Sequence, residues 1–306
     1  MLSSLLKGIA GLLPSGMPGF IYTKVLSAPP LRNITNKLLL LIVPESILIT
    51  EGVVYLNRTD PVISGALTLG VYEPFETALF RQLVKPGMTI LDIGANIGYY
   101  SVIAARLAGP SGRVLAFEPE LVNFDLLKKN ITENNFTTAE GFAIAVADHT
   151  GTMTLHLSSN NKGNHSLVST EAESAQFTSS IEVPVERVDN VLARKNITRV
   201  DIIKIDVEGA EPLAFAGMTE TLTQPDMAIC MEFYPDVLYR SGSSPQELLK
   251  LILKKGFTIY EMDENSRTLE PVTNIDSFVN RFKKGEYSNL LCLKGSFVEF
   301  DTDQQF

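Results

Sequence analysis

The sequence predicts an α/β fold in which helices cover both faces of a mostly parallel sheet. Of its 306 residues, 45% are hydrophobic and 20% are charged, so the chain can bury a sizeable core and is not disordered. From Met88 onwards, short apolar runs alternate with amphipathic stretches. This alternation is typical of strands that lie parallel in one sheet and are joined by helices.

The individual elements follow from the spacing of the apolar residues. Runs of apolar and β-branched residues predict strands over 88–93, 113–117, 138–146, 200–205, 226–232, 257–261 and 289–294. Apolar residues three and four positions apart predict helices over 75–83, 98–108, 120–134, 211–222 and 244–255. The first of these helices ends before Pro86 and Gly87, where a turn is favoured.

The rest of the chain predicts three additions to this core. Residues 1–70 are expected to form an N-terminal extension or cap that includes a hairpin over 46–57, and residues 71–296 the main domain. Two further strands with a long polar loop between them are expected within 151–187, and that loop is either a substrate lid or merely flexible. Residues 297–306, rich in acids and glutamine, are expected to form a frayed tail.

The charge distribution limits the partners. Lys and Arg number 26 against 35 Asp and Glu, and this net charge of −9 argues against a nucleic-acid partner. Residues 1–44 contain four basic and no acidic residues, so they either cap the main domain, which we favour, or make a weak contact with a membrane surface. The apolar run before Pro44 is too short to span a bilayer, and we expect a cytoplasmic protein.

A glycine loop is the most informative segment. The apolar strand that ends at Asp92 and Ile93 runs into Gly94 and Gly98, and a helix follows. Glycines let a ligand approach the backbone, and a helix N-terminus offers free N–H groups. Glu118 ends the next strand, where a carboxylate can accept hydrogen bonds from both hydroxyls of a ribose. The loop therefore predicts a nucleoside site.

Two residues of the loop indicate which nucleoside binds. Asn96 stands where a dinucleotide site has the glycine that makes room for a pyrophosphate, and the carboxylate of Asp92 would repel that group. S-adenosylmethionine carries no phosphate, and a carboxylate can stabilise its cationic groups. The alternatives for Asp92 and Glu118 are a helix cap and an exposed strand end. An NAD(P)-dependent oxidoreductase is the alternative for the whole chain.

Two more acids follow strand ends. Asp148 comes after Ala145-Val-Ala147 and could accept a hydrogen bond from the adenine amino group, or it could be an acid of the next turn. Asp206 ends the strand over 200–205 and opens a turn that also contains Glu208 and Glu211. We favour a functional role over helix capping for Asp206.

These segments together resemble the FkbM family of S-adenosylmethionine-dependent methyltransferases. The matching motifs are Asp92–Ser101, Ala116–Pro119, Ala145–Asp148, Val183–Asp189 and Ile203–Glu211, and the resemblance covers residues 60–294. It implies a Rossmann-like class I methyltransferase fold with a seven-stranded sheet whose last strand is antiparallel. It also implies O-methylation of a hydroxyl on a sugar, a glycolipid or a polyketide. The cofactor contacts expected within these motifs and just beyond them are Asp92, Gly94, Asn96, Gly98, Tyr99, Glu118, Pro119, Asn123, Ala147 and Asp148.

A base near the acceptor hydroxyl would speed the reaction, because an alcohol is a poor nucleophile. We expect this group among Asp206, Glu232 at the next strand end, and His165 in the polar loop, although a histidine in such a loop is often only solvated. Two acids seldom fix a metal ion by themselves, so we expect catalysis without a metal. A non-catalytic protein that retains the methyltransferase fold is the remaining alternative.

Overall fold

The central feature is a mixed sheet of eight strands. A computed structural model describes residues 32–158, 165–168 and 177–299. The sheet strands are β3 (Thr89–Ile93), β4 (Arg113–Phe117), β5 (Ala139–Phe142), β9 (Ile202–Ile205), β10 (Met227–Phe233), β11 (Thr258–Asp263), β12 (Thr268–Pro271) and β13 (Ser288–Lys294). Their order across the sheet is β12-β11-β13-β10-β9-β3-β4-β5.

Three helices precede the strands of the large sheet, and the others come between these strands, as the alternation predicts. They are α1 (Arg32–Ile42), α2 (Ile63–Leu69), α3 (Pro74–Leu83), α4 (Tyr99–Ala108), α5 (Leu121–Glu133), α6 (Val188–Arg194), α7 (Glu211–Ala216), α8 (Pro235–Arg240), α9 (Pro245–Lys254) and α10 (Ile275–Asn280). Helix α7 is shorter than the predicted 211–222, because the chain turns at Gly217. A side chain at that position would come within 2.2 Å of the Ala147 carbonyl oxygen.

The sheet confirms the predicted fold class. Strands β10, β9, β3, β4 and β5 are parallel, and β13 lies antiparallel between β10 and β11. The predicted seven strands are present, and β12 adds an eighth at the edge. The predicted strand over 138–146 is wrong in one respect. It divides into β5 and the short β6 (Ala145–Val146), which leaves the large sheet.

A second sheet of three strands forms from the inserted segment. Strand β8 (Phe177–Glu186) pairs parallel with β6 and antiparallel with β7 (Gly151–Ser158). Buried apolar side chains of these strands, such as Leu155 and Val183, form a core of their own. This sheet lies beside the carboxyl end of β4, because Leu155 and Glu118 line the same cavity.

Both faces of the large sheet are buried, as a parallel sheet requires. Every residue of β9 is buried, and the side chains of Ile203 and Ile205 join a core with Leu91 of β3 and Ile229 of β10. The opposite face carries Ile90 and Ile202, which pack with residues of α3 and α4. The carboxyl ends of β3, β4, β9 and β10 therefore meet at one edge of a well-packed body.

A hairpin of β1 (Ser46–Ile49) and β2 (Gly52–Tyr55) precedes this body. Its β2 backbone is held by helix α5, because Asn130 Oδ1 accepts a hydrogen bond from Tyr55 N at 2.6 Å and Asn134 Oδ1 from Val53 N at 2.9 Å. Glu51 in the hairpin turn is buried and forms a two-point ion pair with Arg81 of α3. Amide and charge contacts thus fix the hairpin against two helices.

Some sequence predictions fall outside the described residues. These are the apolar leader before residue 32, most of the polar loop of the insert, and the tail beyond residue 299. The division into an extension, a main domain and a tail stays a prediction. Across the described ranges, every helix is too short or too polar to cross a bilayer.

Candidate functional site

The glycine loop follows β3 and lies directly against the end of β9. Gly94 has a φ of 80°, and a Cβ atom there would lie 1.9 Å from the carbonyl oxygen of Asp206. Gly98 has a φ of 85°, and its Cβ would lie 2.5 Å from a methyl group of Leu127 in α5. Both positions need glycine for conformation and for space.

Glu118 at the end of β4 is tied to this loop. Its Oε2 accepts a hydrogen bond from the backbone N–H of Asn96 at 2.9 Å, and its Oε1 accepts one from the N–H of Glu120 at 2.9 Å. Asn96 itself adopts a left-handed conformation with φ of 51°. Burial raises the pKa of Glu118 to about 8, although both backbone hydrogen bonds oppose the rise. Two backbone hydrogen bonds thus fix the carboxyl group in place, and its burial controls its pKa.

Two cavities open at this edge of the sheet, and we call them the narrow and the wide cavity. The narrow cavity, counted together with the open solvent at its mouth, spans about 530 Å³. It is lined by six of the predicted site residues besides Asp206, namely Gly94, Asn96, Glu118, Pro119, Asn123 and His165. Its remaining walls are mainly apolar and come from β4, β6 and the small sheet. A flat, mostly apolar nucleoside is suited to such walls.

The wide cavity, counted in the same way, spans about 1070 Å³, and its lining is more polar. Asp92, Tyr99 and Glu232, all predicted site residues, line it. Two other groups in its wall, Glu73 and Lys204, were missed by sequence reasoning. The two cavities share Gly94, Asn96 and Asp206, so they adjoin along the glycine loop and the end of β9.

The glycine loop and the end of β9 form a wall that the two cavities share, and Asp92 lies on the wide-cavity side of this shared wall. It is 2% exposed, its Oδ2 accepts a hydrogen bond from Ser101 Oγ at 2.5 Å, and burial raises its pKa to about 6. The predicted partners Asp92 and Glu118 therefore line adjoining cavities and not one common cavity. Asp92 also faces Lys204 directly across the parallel pair of β3 and β9.

Three predicted cofactor contacts line neither cavity. Gly98 packs on Leu127 beneath the loop, and Ala147 is fully buried. The side chain of Asp148 is half-exposed and contacts His149 at 2.7 Å. Because the chain leaves the large sheet after β5, the narrow cavity meets Ala145 and Val146 of β6 and not the turn that follows them.

His165 lines the narrow cavity. Its Nδ1 accepts a hydrogen bond from the backbone N–H of Ser158 at 3.1 Å. The adjacent Ser166 pairs with His156 of β7, and its Oγ donates to the Glu208 carbonyl oxygen at 2.7 Å. The described part of the polar loop is therefore fixed to the turn after β9, and it brings His165 to the narrow-cavity side of the shared wall.

A cluster of three carboxylates, Asp206, Glu208 and Glu232, borders the wide cavity. One oxygen from each lies within 4.8 Å of the other two. Glu232 Oε2 is buried and accepts no hydrogen bond from the described residues. Burial and the neighbouring acids raise the pKa values of Glu208 and Glu232 well above their usual range. Oxygen donors of this kind suit hard cations, and the absence of a catalytic metal stays a prediction.

Lys204 is the charge that opposes this acidic wall. Its ammonium lies 3.2 Å from Glu76 Oε1 and 4.0 Å from Asp206 Oδ2, above the ring of Tyr100. Burial favours the neutral amine, but the carboxylates of Glu76, Asp206 and Glu73 together hold its pKa well above the usual range. A lysine in a buried strand is a signal that sequence reasoning could have used, because a charge in such a place requires a partner.

Glu73 completes the wall from the start of α3. It has a φ of 39°, and its Oε2 accepts a hydrogen bond from the Tyr100 hydroxyl at 2.8 Å. Burial and the charge of Glu76 raise the pKa of Glu73 to about 8. Together with Asn96 and Glu208, it is one of three left-handed non-glycine residues at the cavities. Strained backbone of this kind is often found at functional sites.

Comparison with known proteins adds a family to this geometry. The family model described as the methyltransferase FkbM domain matches residues 92–259, which is more than half of the chain. Those residues contain the carboxyl ends of β3, β4, β9 and β10, at which both cavities lie. A solved structure of a methyltransferase FkbM from Methylobacillus flagellatus is 13% identical, and the match covers 88% of this chain and 60% of that one with a TM-score of 0.42.

The matches to three curated relatives each cover most of the relative's own length. Methyltransferase sdnD of Sordaria araneosa is 29% identical over 56% of this chain and 73% of its own. The 2-O-methyltransferase NoeI of Sinorhizobium fredii is 27% identical over 60% of this chain and 80% of its own. The 31-O-demethyl-FK506 methyltransferase FkbM of Streptomyces tacrolimicus is 27% identical over 58% and 75%. Two of these three names specify transfer to oxygen or a position on oxygen.

Proposed function

Because the chain belongs to the FkbM methyltransferase family, we propose that it methylates a hydroxyl oxygen of a sugar, a glycolipid or a polyketide-like small molecule. The cofactor of this family is S-adenosyl-L-methionine. Membership of this family argues against the alternative that the chain is an NAD(P)-dependent oxidoreductase. The acceptor class comes from the resemblance, and the names of two relatives, which specify O-methylation, support it.

One observation carries the proposal, namely that Asp206 borders both cavities. A methyl transferase must hold a donor and an acceptor on two sides of one point, with the reacting atoms in line. The narrow cavity offers a place for the donor, and the wide cavity offers a place for the acceptor. Asp206 stands where the two meet.

The residues of the narrow cavity fit the cofactor. The Glu118 carboxylate is suited to accept hydrogen bonds from ribose hydroxyls, and the glycine at position 94 leaves backbone within reach of a ligand. No described basic side chain other than His165 lines this cavity, so its charge suits a nucleoside without phosphates. When it is bound, S-adenosylmethionine supplies an electrophilic methyl group on a positively charged sulfur.

The chain's own task is to position the acceptor and to remove its proton. Asp206 can accept the hydroxyl proton, since its side chain is partly open to the wide cavity. Glu232 lies at the end of the neighbouring strand and can bind a second hydroxyl of the acceptor. Bases placed in this way contribute about 10²- to 10⁴-fold to rates. His165 is our candidate for contact with the cofactor side of the reaction centre.

The lining of the wide cavity favours a polyhydroxylated acceptor. Tyr72, Tyr234 and Tyr287 present rings on which the faces of a sugar can pack, and Tyr234 lies 5.8 Å from Tyr287 between ring centroids. The surrounding carboxyl groups can accept hydrogen bonds from hydroxyls. The excess of acids disfavours an anionic acceptor.

We also propose a weak membrane-surface contact through residues 1–44. Leu38 and Leu41 of α1 are 58% and 81% exposed, and the four charged residues of this segment are all basic. Sedimentation with anionic lipid vesicles should fall when Leu38 and Leu41 are both replaced by serine. Equal sedimentation of the variant and the parent protein would contradict this contact.

The proposed activity is tested by transfer of labelled methyl from S-adenosylmethionine into sugar, glycolipid and polyketide extracts. We expect a labelled product that Asp206→Asn abolishes, while the affinity for S-adenosylhomocysteine stays within about threefold. The matched control is Asp125→Asn, which makes the same chemical change at an exposed position of α5. Binding of S-adenosylhomocysteine with no transfer into any extract would favour the non-catalytic alternative.

A further inference from the structure

Lys204 has a position that its role as a structural ion-pair partner does not require. Its side chain is 3% exposed and pairs with Glu76, which is itself fully buried and receives a further hydrogen bond from the Asn289 amide. This pair neutralises two buried charges. The ammonium nevertheless also lies in the wall of the wide cavity, where Lys204 is the only basic residue among the described lining residues.

The distance from Lys204 Nζ to Asp206 Oδ2 is the second observation. At 4.0 Å it is too long for a direct hydrogen bond. A single oxygen atom about 2.8 Å from each group would fit between them and subtend an angle of about 90°. Such an oxygen could accept a hydrogen bond from Lys204 and donate one to Asp206 at the same time. Only a hydroxyl or a water has both capacities.

The third observation is where this bridging position lies. Asp206 belongs to the wall that the two cavities share, whereas Lys204 lines the wide cavity alone. An oxygen held between them is therefore on the acceptor side and next to the cofactor cavity. Asp92 faces Lys204 across β3 and β9, so it adds a carboxylate on the strand side of the ammonium.

We propose that Lys204 is a catalytic residue that donates a hydrogen bond to the acceptor oxygen while Asp206 removes its proton. The inference rests on the proposed function. The hydroxyl proton passes to Asp206, and an electron pair of the oxygen forms the new bond to the methyl carbon. The electron pair of the broken carbon–sulfur bond stays on sulfur. The ammonium stabilises the negative charge that develops on oxygen between these events.

A crystal structure of the protein with S-adenosylmethionine tests this geometry, with water as the probe. We expect one water oxygen within about 3.2 Å of both Lys204 Nζ and Asp206 Oδ2, in line with the sulfur–methyl bond. A direct contact between the two side chains, or a bridging oxygen out of line with the methyl group, would overturn the proposal. Failure of the cofactor to occupy the narrow cavity would instead overturn the proposed function.

Single-turnover transfer to the acceptor found in the extract screen gives the second test. Lys204→Met should lower the rate by about 100-fold, which is typical for loss of one donor to a developing oxyanion, with cofactor affinity within about threefold. The double variant Lys204→Met with Glu76→Gln removes both charges of the pair, so it guards against misfolding from an unpaired carboxylate. It should be as slow as the single variant.

The matched control is Lys195→Met, because Lys195 makes a surface ion pair with Glu140 and belongs to neither cavity lining. It should transfer methyl at the parental rate. Transfer within about threefold of the parental rate by both Lys204 variants would refute a catalytic role for this lysine.

Discussion

Replacement of Glu118 by glutamine should weaken cofactor binding strongly. The carboxylate accepts one backbone hydrogen bond on each oxygen, from Asn96 and from Glu120. Glutamine has a single side-chain oxygen, so its amide nitrogen must face one of these two N–H groups. The variant thus loses a charged acceptor for the ribose. It also places the amide N–H group of glutamine against a backbone N–H group, so two donors face each other inside the site. A hydrogen bond to a charged group contributes about 1.5–3 kcal/mol.

This free energy corresponds to a loss of affinity of about 10- to 150-fold. Calorimetric titration with S-adenosylhomocysteine at pH 9, where Glu118 with its pKa of about 8 is ionised, measures it directly, with the thermal unfolding midpoint recorded for each variant. The matched control is Glu120→Gln, two residues further along the chain. Glu120 caps α5 by accepting a hydrogen bond from Asn123 N on one oxygen only, so glutamine can preserve that bond.

The comparison of the two variants decides the outcome. Affinity of Glu118→Gln within about threefold of the parent protein would refute the assignment of this residue to the ribose. An equal loss in Glu120→Gln would show that general charge near the loop, and not the specific contact, determines affinity.

Three further predictions concern pH, sterics and metal. Binding of 5′-methylthioadenosine, which lacks the titrating amino acid group, should strengthen by up to about 30-fold from pH 6.5 to pH 9. The reason is that Glu118, with a pKa of about 8, loses its proton over this range and becomes the better acceptor. The affinity of Glu118→Gln for the same ligand should not change with pH. Gly94→Ala should lower the unfolding midpoint and abolish S-adenosylhomocysteine binding, since its Cβ would collide with the Asp206 carbonyl oxygen at 1.9 Å, whereas Gly70→Ala, with a similar φ of 74° and open space around it, should keep binding. Methyl transfer should survive treatment with EDTA, and loss of activity that magnesium restores would contradict the predicted independence from metal.

Much of the fold could be predicted because its signals are local. Each buried parallel strand is a short apolar run, and each helix shows its own period, so seven sheet strands were predictable from spacing alone. Strand β12 and the departure of β6 into a second sheet depend on pairings between distant segments. The run over 138–146 gives no sign of this break, since both halves form β-structure and only their pairing partners differ.

The site was predictable where it follows strand ends, and less so where it depends on tertiary contacts. Asp206 and Glu232 end neighbouring parallel strands, and Met231 pairs with Ile205 directly before them, so their proximity follows from the sheet rule. Asp148 follows a strand that leaves the sheet, so the same rule misplaces it. Glu76 comes from α3, far away in sequence, and its pairing with Lys204 could not be predicted from spacing.

The protonation of the wide cavity links these observations to the acceptor. Burial raises the pKa of Glu73 to about 8, and burial with like charges raises those of Glu208 and Glu232 well above their usual range. Glu73 is therefore mainly protonated at neutral pH, and the protonated forms of Glu208 and Glu232 are favoured, so these groups can donate as well as accept hydrogen bonds. A polyol needs both kinds of partner, because each of its hydroxyl groups donates one hydrogen bond and also accepts hydrogen bonds. The acidic wall is therefore better suited to a neutral sugar than its formal charge suggests, and Lys204 remains its one permanent cation among the described lining residues.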